Sequence, residues 1–155
     1  MSSRFPIRLG ARSRPLLRLL FGARPENAYA ELPDGGVEPA DAGDRGNHAG
    51  EAELLIRFGR ASFRTPLSNI ERYRIEGPFV WLKAIGIRRS IRGGDVSFAG
   101  SPHGGVRMDL RQPVRWTIFR VPAVYVGADD LDSFARALQE RGIPGVDARR
   151  PTATR

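Results

Sequence analysis

The sequence predicts a mainly β fold with one C-terminal helix, a small antiparallel barrel or sandwich closed by that helix. About seven short segments with alternating or apolar side chains recur at ~8–12-residue spacing. One segment of helical period follows them near the C terminus. A chain of 155 residues is long enough to bury the core of one domain. We therefore expect a single domain at residues 1–145 and a flexible polar tail at 146–155.

The stretch at residues 54–81 is the centre of the predicted sheet. Its alternating positions are Leu54, Ile56 and Phe58, then Ala61, Phe63 and Thr65, then Tyr73 and Ile75. Each group is typical of a strand with one buried face. Gly59 and Arg60 favour a tight reversal between the first two strands. We expect all three strands to form a meander in one sheet.

The N-terminal residues predict an edge strand and a short cap. Residues 5–9 alternate weakly, and Pro6 confines such a strand to a sheet edge. Residues 15–21 predict an apolar turn or one-turn helix that covers the core; the alternative is a frayed basic terminus. Arg18 interrupts the apolar run there, so a signal peptide is not expected. Residues 27–32 predict a strand that pairs with 53–58.

Residues 33–50 lack apolar bulk and carry several acidic side chains. Such a composition predicts a disordered acidic insertion within a hairpin, because burial cannot offset the ordering entropy. The alternative is a linker between an N-terminal arm and a separate domain. The aspartates lack the spacing of a calcium-binding loop, and His48 stands alone, so no metal site is expected.

The segment after Pro78 is apolar and contains Trp81 and Lys83. It predicts either a loop over the mouth of the barrel or an irregular strand. We expect residues 85–91 to re-enter the sheet.

The clearest half-buried strand of the sequence contains Val106, Met108 and Leu110. Further short strands are expected at residues 96–98, 117–119 and 123–126. Because proline cannot donate to a ladder, we expect Pro113 to end one strand and Pro122 to interrupt another.

The helical period begins after Asp129, which we expect to cap the helix. Leu131, Phe134, Ala135 and Leu138 share one helical face. Gly142 and Pro144 end the helix. Capping also accounts for the acidic cluster Asp129, Asp130 and Asp132, so metal binding is not expected there.

The formal charge of +8 is unevenly distributed. Residues 1–24 form a basic arm with six arginines and no acid; residues 25–53 have a net charge of −7, and 54–155 a net charge of +9. A basic chain can bind nucleic acid, anionic lipid or an acidic partner. The alternative is codon usage in a GC-rich genome, since Lys83 is the only lysine. The lack of cysteine favours a reducing, cytoplasmic location, and secretion without disulfides is the alternative. The sequence has no apolar run of ~20 residues, so no transmembrane segment is expected.

Several local motifs resemble a group of small, uncharacterised actinobacterial proteins. The matching segments are residues 57–59, 64–70, 77–81, 96–98, 105–107, 113–114 and 122–126. The order of strands followed by one closing helix is similar to the pleckstrin-homology-like barrel. The resemblance implies that barrel and, because fold does not fix function, no catalytic residue. The insertion at 33–50 departs from the pattern.

The sequence indicates no enzyme and no cofactor. The glycine-rich segment at residues 100–105 lacks the Lys-Ser/Thr end of a phosphate-binding P-loop and is followed by a strand, which favours a hairpin turn. His103 is the only candidate for a general base in that segment. No Ser-His-acid spacing supports it, so a solvated loop histidine is expected.

Two features are candidate binding sites. The meander would place Arg57, Arg64, Arg72 and Arg74 on one outer sheet face, where guanidinium groups can bind phosphates; a solvated, edge-protecting face is the alternative. The Gly59-Arg60 turn is too tight for a pocket, and the acidic insertion would repel phosphate.

The second candidate is the pair Trp81 and Lys83, which can anchor a protein partner unless Trp81 only covers one end of the barrel. We therefore expect a non-enzymatic interaction module that binds a protein partner. The alternative is a peripheral binder of anionic phospholipid headgroups. Nucleic acid is not an expected partner, because few aromatic residues are free to stack on bases.

Overall fold

The computed structural model describes residues 2–34, 51–78, 86–90 and 92–149. In these ranges the chain is mainly β with two helices, which confirms the predicted class and adds a helix. Neither helix is long and apolar enough to cross a membrane.

The first sheet contains four antiparallel strands. They are β1 (Ser2–Pro6), β2 (Ala28–Pro33), β3 (Glu53–Phe58) and β4 (Ala61–Pro66), in that order across the sheet. Ala30 lies opposite Ile56, which lies opposite Phe63, so these side chains form one buried row. The predicted hairpin with its turn at Gly59 and Arg60 is confirmed, as is the pairing of the segment at 27–32 with β3.

The second sheet is mixed. Its strands are β5 (Ile70–Glu76), β6 (Gly86–Arg89), β7 (Val96–Ala99), β8 (Gly105–Trp116), β9 (Phe119–Val126) and β10 (Gly145–Asp147). Their spatial order is β10-β5-β8-β9-β7-β6, with parallel pairs at β10–β5 and β7–β9. The prediction that Val106, Met108 and Leu110 face the core is confirmed.

The predicted closed barrel is wrong for the part of the chain that the structure describes, since no ladder joins the two sheets into one. The sheets instead share one hydrophobic core. The ring of Phe98 in β7 lies 6.5 Å from that of Phe58 and 6.3 Å from that of Phe63, measured between centroids. A pleckstrin-homology-like topology therefore stays a prediction.

The predicted three-strand meander is also wrong at its third strand. β5 does not pair with β4 but joins β8 in the second sheet. A 3₁₀ turn at Leu67–Asn69 separates the two strands. The side chain of Asn69 donates to the Thr65 hydroxyl at 3.2 Å and to the Gln112 carbonyl at 2.9 Å, which holds this corner against β8.

The prolines interrupt fewer strands than predicted. β8 continues through Pro113 and β9 through Pro122. The register between these strands shifts between Asp109 and Val114, so both prolines lie where regular ladder partners are missing. The predicted flexible tail begins at residue 146. Its first two residues, Val146 and Asp147, instead belong to strand β10, in which Val146 pairs with Arg74 of β5.

Helix α1 (Arg14–Phe21) is longer than the predicted single turn. It buries Leu17, and the ring of Phe21 lies 6.0 Å from that of Phe58. α1 therefore covers the end of the core next to the β3–β4 turn, where the Phe21 carbonyl accepts a hydrogen bond from the Arg60 N–H.

Helix α2 (Leu131–Glu140) is the predicted C-terminal helix. Its apolar face is buried against the core, and the Phe134 ring lies 5.2 Å from that of Phe5 in β1. The cap is Asp130 rather than the predicted Asp129, because the Asp130 carboxylate accepts the Ser133 N–H at 2.9 Å. Asp129 instead lies 3.6 Å from Arg8.

Candidate functional site

The structure divides the four arginines that the sequence placed on one face. Arg57 and Arg64 lie on the outer face of the first sheet, and both are exposed. Arg64 forms an ion pair with Glu53 at 3.7 Å. No ion pair or hydrogen bond among the described residues involves the Arg57 side chain.

Arg72 and Arg74 lie on β5 in the second sheet and have acidic partners there. The Arg72 Nε donates to Asp109 at 3.0 Å, and the Arg74 guanidinium lies 3.6 Å from Glu76. Arg107 donates to Asp109 at 3.0 Å and to Asp95 at 3.1 Å. The predicted single basic face is therefore wrong, and its β5 half is a network of alternating charges.

The ionisation of Asp109 reflects that network. Partial burial alone would raise the pKa of Asp109, but hydrogen bonds from Arg72 and Arg107 outweigh it and lower the pKa. The carboxylate is thus held in its charged form, where it neutralises the neighbouring guanidinium groups.

Trp81 and Lys83, the second candidate site, lie outside the described residues, as do residues 35–50 of the predicted acidic insertion.

His103 is half-buried rather than solvated, which corrects the prediction. Its Nε2 lies 2.8 Å from the Ala128 carbonyl and its Nδ1 lies 2.5 Å from the Ser101 hydroxyl. Because a carbonyl only accepts, Nε2 carries the proton and Nδ1 accepts from Ser101. Burial is the main cause that lowers the pKa of His103, and Arg8 adds to it against the opposing effects of Ala128 and Asp129.

The Ser101–His103 pair holds the turn before β8 against the chain that enters α2. Ser101 is buried at 6% exposure, and its hydroxyl is engaged with His103. No cluster of three or more metal-ligating side chains occurs within the described parts of the chain.

The surface that sequence reasoning missed is the outer side of α1. Leu16, Leu19 and Leu20 are exposed to 52%, 80% and 59%, although Leu17 between them is buried at 1%. The exposed leucines are spaced i, i+3 and i+4, which places them in one stripe of a helix. The spacing is present in the sequence: in a helix Arg18 lies about 100° from Leu19 and does not interrupt the stripe.

Arg14 and Arg18 lie at least about 100° round α1 from each of these leucines, on another side of the helix. Arg12, Arg14 and Arg18 are exposed on or next to α1, and the first turn of the helix has no acidic residue. Within the described ranges, neither Arg12 nor Arg18 takes part in an ion pair. We call Leu16, Leu19, Leu20 and these three arginines the α1 surface; it combines exposed apolar area with positive charge that no described acidic residue pairs.

Comparison with known proteins adds no relative: no family model, no curated protein and no solved structure matches the chain.

Proposed function

We propose that this protein is a non-enzymatic interaction module that binds anionic membrane surfaces peripherally through the α1 surface. The observation that carries the proposal is the stripe of three exposed leucines on a helix whose other exposed side carries arginines. The proposal keeps the lipid-binding alternative from the sequence but moves it from the sheet face to α1.

Two physical effects would act together at a bilayer. Burying the exposed leucine side chains contributes about 25 cal/mol for each Å² of apolar area removed from water. Each arginine near an anionic leaflet adds about 1 kcal/mol. The long stems of Arg12 and Arg18 can extend beside the apolar stripe while their guanidinium groups reach lipid phosphates. Such a helix lies in the interface rather than crossing it.

The β5 sheet face offers weaker support for lipid binding. Arg72 and Arg74 would have to leave acidic neighbours at 3.0 and 3.6 Å to contact phosphates. The arginines around α1 have fewer acidic partners than those of β5. Arg24 lies 3.7 Å from Glu26, whereas Arg12 and Arg18 have no acidic partner among the described residues. The charge therefore favours an anionic surface at α1.

Vesicle binding tests the proposal. The protein should sediment with vesicles of phosphatidylcholine mixed with phosphatidylglycerol and not with phosphatidylcholine alone. Replacing Leu16, Leu19 and Leu20 together by serine should weaken this binding at least about tenfold, because each leucine contributes about 1.5–3 kcal/mol when fully buried. Raising the salt concentration from about 0.05 to 0.5 M should also weaken it.

The matched control is Ile118→Ser, which removes an equally apolar side chain that is 85% exposed at the turn between β8 and β9. It should leave vesicle binding unchanged. Two results would refute the proposal. One is that the wild-type protein does not bind anionic vesicles at low salt; the other is that the triple serine variant binds them as well as the wild type.

A second candidate is binding of a protein partner, the first expectation from the sequence, through the outer face of the first sheet. There Arg57 pairs in register with Tyr29 and neighbours the half-exposed Leu55, an aromatic, aliphatic and cationic group typical of interface anchors. Arg57→Ala should then abolish capture of the partner in a pull-down. The triple serine variant of α1 should still capture it, and capture that survives Arg57→Ala would exclude this face.

A further inference from the structure

A groove runs along the side of α1, between the chain that follows β1 and the turn that follows the helix. It consists of two adjoining cavities of about 560 and 380 Å³ that share Leu9, Ala11, Arg14 and Pro25. The larger cavity is of the size that holds a small ligand. Leu9 and Ala23 are buried residues on its wall, so part of the lining is apolar.

Guanidinium groups dominate the charge of this groove. Arg14, Arg18 and Arg24 line the larger cavity, and Arg8 lines the smaller one. The acidic residues are Glu26 and Asp129, one in each cavity. Their ion pairs with Arg24 at 3.7 Å and Arg8 at 3.6 Å are longer than direct hydrogen bonds, so an anionic ligand can compete for those arginines.

Two of the arginines have N–H donors that no described residue uses. The Arg14 Nε donates to the Leu9 carbonyl at 3.2 Å, which restrains the side chain against the groove wall. The terminal nitrogens of Arg14, and the whole guanidinium of Arg18, form no hydrogen bond or ion pair with any residue that the structure describes. A bidentate contact to phosphate oxygens needs such a pair of unused N–H donors.

The start of α1 adds to the positive field. Arg14 and Pro15, its first two residues, line the larger cavity. Ser13 precedes them but does not cap the helix, because its hydroxyl donates to the Gly100 carbonyl at 2.6 Å. With no acidic residue in the first turn, the positive end of the helix dipole is left uncompensated.

We propose that this groove binds a phosphate monoester, with Arg14, Arg18 and Arg24 as its ligands. A monoester carries close to two negative charges at neutral pH, which suits a cluster of guanidinium groups better than the single charge of a diester. The source of the group is either a lipid headgroup or a soluble phosphate ester. Only the lipid source rests on the proposed membrane function; a soluble ester would reach the groove without a bilayer.

Soluble glycerol 3-phosphate tests the groove without a bilayer. In a titration followed by the backbone amide resonances of residues 8–26, the wild-type protein should bind this ester, and glycerol alone should not. The double variant Arg18→Gln/Arg24→Gln should bind it at least about tenfold more weakly, the loss expected for a few charge-assisted hydrogen bonds. Arg115→Gln/Arg120→Gln is the control, because it removes the same charge from exposed strand positions opposite each other. It should bind like the wild type.

Vesicles distinguish the two sources. Phosphatidic acid carries a phosphate monoester and phosphatidylglycerol a diester, so vesicles of matched surface charge differ only in headgroup chemistry. If lipid is the source, wild-type protein should prefer phosphatidic acid, and Arg18→Gln/Arg24→Gln should lose the preference. If soluble esters are the source, the protein should bind glycerol 3-phosphate but should bind phosphatidic acid and phosphatidylglycerol vesicles equally.

The outcomes separate this inference from the membrane proposal. Loss of vesicle binding in the triple serine variant with unchanged glycerol 3-phosphate binding supports both. Vesicle binding by a protein that shows no response to glycerol 3-phosphate overturns the groove and leaves the membrane proposal standing. Equal weakening by the two arginine pairs also overturns it, because only net charge would then matter. Binding of an acidic peptide in place of the ester would overturn it in favour of a protein ligand.

Discussion

Helices α1 and α2 are both short and amphipathic, yet they use their apolar residues in opposite ways. α2 directs Leu131, Phe134 and Leu138 into the core, whereas α1 buries Leu17 and leaves three leucines in solvent. α2 contacts β5 and β8, and it contacts Phe5 of β1 through Phe134. α1 meets the core through Leu17 and through Phe21, whose ring lies 6.0 Å from that of Phe58. The comparison shows that an apolar stripe identifies a contact face without identifying what covers it.

The two helices also differ in the charged residues at their N-terminal ends. α2 begins with Asp130 as its cap and Asp132 in its first turn, both of which favour the positive helix end. α1 has arginine at its start and no acid in its first turn. α2, with a compensated start and a buried stripe, serves the fold, whereas α1 leaves arginines and apolar area exposed.

The largest expected effect is on the free energy of unfolding when one leucine of each helix is truncated. Leu138→Ala in α2 should cost about 2–5 kcal/mol, because its side chain is fully buried and leaves a cavity. Leu19→Ala in α1 should change the free energy by no more than about 0.5 kcal/mol, because its side chain is 80% exposed. Urea denaturation measures both. Similar losses for the two variants would show that the α1 stripe is packed in solution.

A smaller loss of stability is expected at the C-terminal ends of the two helices, and it should be similar at both ends. Gly22 after α1 and Gly142 after α2 have φ angles of 66° and 84°. Alanine at either position should cost about 1–2 kcal/mol, the strain of a left-handed conformation. Steric clash adds little, since the nearest atom to a new Cβ at Gly22 is an Arg60 side-chain carbon at 3.4 Å and Gly142 has nothing within 4 Å. Thermal denaturation of the two single variants measures the cost. A loss at Gly22 far below that at Gly142 would mean that α1 frays at its C terminus.

The smallest expected effect is a pH dependence of stability, which arises from the hydrogen bond between His103 and the chain that enters α2. The Ala128 carbonyl, which precedes the α2 cap by two residues, accepts from neutral His103. Burial lowers the pKa of His103, so between its folded value and the unfolded value of about 6.5 the unfolded chain binds more protons. Acidification from about pH 7.5 to 5.5 should therefore decrease stability.

His103→Gln serves as the control for this pH dependence, because glutamine does not titrate. The slope of stability against pH in that interval should be smaller in the variant than in the wild type. An unchanged slope would exclude His103 as its source. The carboxylates whose pKa values are lowered, Glu31 and Asp109 among them, titrate at more acidic pH and do not affect this interval.

Local patterns predicted most individual elements. The β3–β4 hairpin follows from period-2 alternation around Gly59, and the buried face of β8 follows from Val106, Met108 and Leu110. α2 follows from its helical period and its terminating glycine. These features depend on residues that are close in sequence, which is why the sequence was sufficient.

The candidate site could be predicted only in part. The arginines and leucines at residues 12–20 were visible, and their helical spacing was readable despite Arg18. Their exposure was not predictable, because it depends on which side of α1 meets Phe58 and the β3–β4 turn. The set of Arg57, Arg64, Arg72 and Arg74 was wrongly assigned to one face for a related reason, since strands adjacent in sequence need not pair.

The amino-acid sequence by itself determined the class of the fold, the alternation that defines each buried strand face, and the uneven distribution of charge. Only the tertiary structure decided that β5 joins the second sheet, that two open sheets share the core, and that α1 presents its leucines outward. The physical reason is that alternation and helical period report which side of an element is apolar. Which partner covers that side depends on contacts between residues far apart in the chain, and no local pattern encodes them.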